Sequence, residues 1–104
     1  MSFQSRIDEV EKLKKIHQEM KNTLSNMKND LNRIRDTIIR FKEKGIDSIT
    51  IFGYGQYNSI NLRIGNWTPY LSDALLKSLV ESERTLSEKL EYQKGIIHNF
   101  ELQN

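Results

Sequence analysis

The stretch 24–41 reads LSNMKNDLNRIRDTIIRF. Its apolar residues, Leu24, Met27, Leu31, Ile34, Ile38 and Phe41, alternate three and four positions apart. That alternation is the a/d seam of a helix pressed along one apolar stripe against another helix. The seam continues backward through Met20, Leu13 and Val10, with His17 at an a position between Val10 and Leu24. No Pro or Gly interrupts residues 4–44. The spacing therefore predicts one helix of roughly 40 residues, about 60 Å long at ~1.5 Å per residue. Lys42 and Lys44 suit the negative end of that helix, and Gly45 is a natural residue to terminate it.

Beyond Gly45 the period changes from helical to twofold. Ile49 and Ile51 alternate with Ser48, Thr50 and Phe52; Ile60, Leu62 and Ile64 alternate with Ser59, Asn61 and Arg63. Two such runs, Ser48–Phe52 and Tyr57–Ile64, joined by Gly53-Tyr54-Gly55-Gln56, predict a β-hairpin within residues 46–66 with one apolar face. An isolated hairpin is marginal in water, so that face needs a cover. Thr68 as N-cap and Pro69 at the first helical position open a second helix, 68–102, with Ser72-Asp73 as a later alternative start. Leu75, Leu86 and Ile97 recur every 11 residues, as do Leu79 and Leu90. That period favours a straight or slightly right-handed rod, unlike the heptad of the first helix. The expected architecture is mainly α with a β-hairpin: long helix, hairpin, long helix, with antiparallel coiled-coil-like arms in a single domain, 1–104.

Composition limits what such a chain can enclose. Only 37% of its 104 residues are hydrophobic and 29% are charged. Most apolar residues sit on single helical stripes, so self-association into a dimer or tetramer is expected to complete the core. No apolar run is long enough to span a membrane, and Arg6, Asp8 and Glu9 near the start argue against a secretory signal. Without cysteines there is neither a disulfide nor thiolate chemistry, which fits a cytoplasmic protein. The glycosylation pattern Asn66-Trp67-Thr68 is then coincidental. The net charge of +2 hides a division, because residues 1–45 carry +4 and residues 68–104 carry −2.

Lys14, Lys21, Lys28, Arg35 and Lys42 stand seven apart, in the e column beside the seam. They either track phosphates or, the favoured reading, pair with acids of a neighbouring helix, for which Glu81, Glu88 and Glu91 are available. Nucleic acid is therefore only a third-ranked partner. His17 is expected to fix helix register rather than hold metal, and His98 to be solvated. No G-x-S-x-G, H-E-x-x-H, P-loop or C-x-x-C pattern occurs, so no enzyme activity, cofactor or metal is expected.

The aromatics are concentrated instead. Tyr54, Tyr57, Trp67 and Tyr70, with Phe52, surround the hairpin and the second helix start, and Arg63 is the basic residue among them. Flat rings stack on bases, a guanidinium holds phosphate, and a helix N-terminus attracts anions. These five residues, Tyr54, Tyr57, Arg63, Trp67 and Tyr70, form the expected ligand-binding set. The same rings could instead close the hairpin against the helices or against another protomer.

The order helix, hairpin, helix resembles the prefoldin β-type subunit, which implies hairpins assembled into a barrel and helices projecting as chaperone tentacles. On that reading Phe3, Ile7, Ile97 and Phe100 would be presented to clients at the free helix ends. Segments such as Ile46-Asp47-Ser48-Ile49-Thr50-Ile51 and Tyr57-Asn58-Ser59-Ile60-Asn61-Leu62 also give the chain a resemblance to small bacteriophage proteins. Some of those are oligomeric sponges for the nucleotide signals of host immunity. The second resemblance implies a non-enzymatic accessory protein in the host cytoplasm, sequestering a nucleotide-like ligand or a host partner in immune evasion. It is preferred here to the chaperone reading.

Overall fold

The computed structural model describes residues 3–53, 59–64 and 69–104. Helix α1 runs Phe3–Lys44, strands β1 and β2 run Ser48–Phe52 and Ser59–Arg63, and helix α2 runs Pro69–Gln103. This is the expected helix–hairpin–helix order, with helix boundaries within a residue of those read from the sequence. α1 ends as its sequence dictates. Gly45 adopts φ 73°, and its N–H donates to the Phe41 carbonyl at 2.9 Å. That bond satisfies one of the carbonyls left open at the helix end.

The chain divides into two compact units, Met1–Arg33 with Arg84–Asn104, and Ile34–Glu83. In the first, Leu31, Leu90 and Ile97 are buried. Its two helical segments run antiparallel: His17 meets Glu101, and three residues further along α1, Met20 meets Gln93 of α2. In the second unit Ile38 and Phe41 are buried, and Arg35 of α1 donates to Glu83 of α2 at 3.2 Å.

The buried stripe of α2 contains the residues of the 11-residue reading, Leu75, Leu79, Leu86, Leu90 and Ile97, and adds polar ones to them. Leu79, Glu83, Leu86, Leu90, Gln93, Ile97 and Phe100 are all buried or half-buried, and their spacing alternates four and three. This is a heptad seam with two polar members. Both of them bond across to α1, Glu83 to the Arg35 side chain and Gln93 to the Met20 carbonyl at 3.2 Å. An apolar-only search skips these two positions and keeps the pairs Leu79 with Leu90 and Leu86 with Ile97, each 11 apart.

The two strands form an antiparallel pair in which Ile49 faces Leu62 and Ile51 faces Ile60. A four-residue connection at 53–56 would have set Phe52 against Tyr57; Phe52 instead pairs with Ser59. The shift of two residues keeps every side chain on its expected face. Its physical reason is cross-strand pairing on the apolar face. This register matches two pairs there, Ile49 with Leu62 and Ile51 with Ile60, whereas the other would keep one, Ile49 with Ile60, and set Ile51 against Asn58. Ile64 extends the ladder by donating to the Asp47 carbonyl at 2.8 Å.

Candidate functional site

Of the five residues expected to bind a ligand, Tyr54, Tyr57 and Trp67 lie outside the described residues, as does the Thr68 cap. Arg63 closes β2 opposite Ser48. Its side chain is exposed and makes no ion pair among the described residues. Tyr70, in the first turn of α2, is 84% exposed, and Phe52, at the end of β1, is 80% exposed. Neither ring covers the hairpin. The described aromatics of this segment are presented to solvent rather than spent on internal packing.

The hairpin itself carries the second notable surface. Ile49, Ile51, Ile60 and Leu62 share one face through their pairing. Ile51, Ile60 and Leu62 are respectively 51%, 60% and 40% exposed, and Ile49 is half-buried. An apolar sheet face left in water is unusual for a domain that functions alone. Among the described residues the sheet has two strands, so each also presents an outer edge of peptide groups outside the β1–β2 ladder.

A third feature was not found from the sequence. In the first unit, Val10, Leu13, Lys14, His17, Phe100, Glu101 and Asn104 line a cavity of about 370 Å³. The His17 imidazole stacks on the Phe100 ring, with centroids 5.6 Å apart and planes 12° apart. Its Nε2 lies 2.9 Å from Glu101 Oε1, within hydrogen-bond and ion-pair reach. His17 thus meets a carboxylate and a ring of α2 within one chain. The heptad register of α2 was the available signal, since it places Phe100 at a seam position facing His17. Phe100 and Ile97 are accordingly seam residues, with Ile97 buried, and of the apolar residues expected at the helix ends Phe3 is the one left open, at 80% exposure. His98 is exposed, as expected.

Among the described residues the e column pairs with an acid of α2 at Arg35, and not through Glu88 or Glu91. Arg35 is bonded to Glu83, a seam residue, while Glu88 pairs with Arg84 and Glu91 with Lys94 on α2 itself. Lys14, Lys21, Lys28 and Lys42 are exposed and make no ion pair among the described residues. Among those residues no group of three or more His, Cys, Asp or Glu could hold a metal ion, and no helix is long and apolar enough to cross a membrane. Comparison with protein-family models, with curated proteins and with solved structures gives no match.

Proposed function

We propose that this chain is a non-enzymatic, self-associating binding protein whose copies join through the apolar face of the hairpin. The observation that carries the reading is the exposure of Ile51, Ile60 and Leu62 on one sheet face. A second copy presents the same face, so face-to-face packing of two hairpins buries apolar surface on both. Light scattering at micromolar concentration tests it. A mass at a whole multiple of the 12.3 kDa chain supports the reading, and a folded monomer overturns it.

The bound species on this reading is a small nucleotide-like anion or a partner protein, held beside the hairpin in the host cytoplasm if the chain is phage-encoded. The exposed ring of Tyr70 and the exposed guanidinium of Arg63, which makes no ion pair among the described residues, support it. Trp67 is the chain's single tryptophan, so its fluorescence reports on a titration with mono-, di- and cyclic nucleotides. Binding that weakens on Arg63→Ala, with helicity kept, supports the ligand. If Arg63→Ala instead dissociates the oligomer, the segment serves assembly. A prefoldin-like holdase is the competing reading, favoured by the exposed Phe3 and the 72% exposed Leu102. Suppression of aggregation of an unfolded client without nucleotide binding would select it.

A further inference from the structure

The lysines of α1 in the first unit are distributed unevenly around the helix. At e positions stand Lys14, Lys21 and Lys28, and at the adjoining b positions stand Gln4, Glu11, Gln18, Ser25 and Asn32, all exposed. This flank therefore holds three cations and one acid. Elsewhere on the same segment Arg6, Lys12, Lys15 and Arg33 are matched in number by Asp8, Glu9, Glu19 and Asp30. The positive surplus of residues 3–33 lies wholly on one side.

The helix packed against this flank leaves most of that charge in place. Lys14 shares its cavity with Glu101, which is bonded to His17. That contact sets e positions of the two helices side by side, so the heptad register brings Lys21 beside Lys94 and Lys28 beside Ser87. Lys94 is itself paired with Glu91 at 3.1 Å. Of the acids expected to neutralise the column, Glu88 and Glu91 are each within reach of a basic residue of α2 itself.

From this geometry we infer a binding surface for the phosphate backbone of a duplex nucleic acid, made by Lys14, Lys21 and Lys28, with the amide of Gln18, which donates to Asn22 Oδ1 at 2.9 Å, between the first two and that of Asn32 beyond the last. The three lysines span about 21 Å at ~1.5 Å rise per residue, a straight run of cations that matches a rigid polyanion. Amide side chains add hydrogen bonds to phosphate without reading sequence. A helix lying on a membrane would need an apolar strip beside its lysines; here the b positions are polar, and the apolar seam is turned to α2. A duplex is therefore the occupant, and the binding is independent of base sequence.

The test is fluorescence anisotropy of a labelled duplex DNA of roughly 20 base pairs of mixed sequence, titrated with the full chain. Three neutralised phosphates give a slope of log K against log salt of about −2.7, a loss of affinity of about 40-fold between about 50 and 200 mM NaCl. The triple variant Lys14→Gln, Lys21→Gln, Lys28→Gln should abolish that slope with helicity unchanged. A control removing the same charge elsewhere, Lys12→Gln, Lys15→Gln, Lys89→Gln, should largely retain it. The inference is overturned by an absence of binding at low salt, by equal losses in the two triple variants, or by binding to phosphatidylserine vesicles but not to the duplex.

Discussion

Replacing Glu83 by Leu tests whether α2 packs through a heptad seam. Glu83 sits between Leu79 and Leu86 on the half-buried stripe, and its side chain is 33% exposed. A Leu there would hold about two thirds of its side chain out of water, a gain of about 1–2 kcal/mol at ~25 cal/mol per Å². The loss is the bond to Arg35, whose side chain is 48% exposed. Such half-solvated pairs contribute about 0–1 kcal/mol. Leu and Glu have similar helix propensities, so the backbone adds little. Glu83→Leu should therefore stabilise by about 1 kcal/mol, raising Tm by about 4 °C in a chain of this size.

Thermal melts followed by circular dichroism, at matched protein concentration, read this directly. Arg35→Ala provides the second leg of a double-mutant cycle: it should cost under about 1 kcal/mol in the native background and nothing in the Glu83→Leu background. A fall in Tm on Glu83→Leu of about 4 °C or more, equivalent to a loss of about 1 kcal/mol, would refute the reasoning. It would mean that Glu83 is not a seam position, or that its pair with Arg35 outweighs apolar burial.

Other substitutions separate backbone from packing effects. Gly45→Ala should destabilise by about 1–2 kcal/mol, because a Cβ there meets no atom within 4 Å yet must sit at φ +73°. Gly95→Ala should do the opposite in the same urea titrations, stabilising by about 1 kcal/mol, since it is helical and nothing lies within 4 Å of the added Cβ. Leu90→Ala, at a site only 6% exposed, should cost about 2–5 kcal/mol and shift the urea midpoint sharply. Tyr92→Ala, at a site 73% exposed on the same helix, should stay within about 0.5 kcal/mol.

The sequence made most of α1 legible because the information lies within one helix, although Val10, on the predicted seam, is 50% exposed. Leu31, Ile38 and Phe41 were on the predicted seam and are buried. α2 was located correctly and its apolar stripe was read, since Leu75, Leu79, Leu86, Leu90 and Ile97 are all buried or half-buried. Its polar members were missed, because Glu83 and Gln93 face α1 through hydrogen bonds rather than hydrophobicity. Alternation in Ile49–Ile51 and Ile60–Leu62 identified the strands and their faces. It could not set the register, which depends on which apolar pairs meet across the ladder. The His17–Phe100–Glu101 cluster joins residues up to 84 positions apart, and only the heptad register of α2, which needs its polar members to be seen, pointed to it. Residue type marked Arg63 and Tyr70 as capable of holding a ligand; only coordinates could say that both face solvent.

Joining through the hairpin is tested most directly by the dimerisation constant of Ile60→Thr, measured by sedimentation equilibrium beside the native chain. Ile60 is 60% exposed and faces Ile51, and Thr keeps the β-branch that suits a strand. Burying that exposed fraction contributes about 1 kcal/mol per copy, so a symmetric contact should lose about 2 kcal/mol. The predicted result is a self-association weakened about 30-fold, with helicity and Tm of the monomer unchanged. A variant that associates as tightly as the native chain, or a native chain that is monomeric at every concentration, would contradict the account.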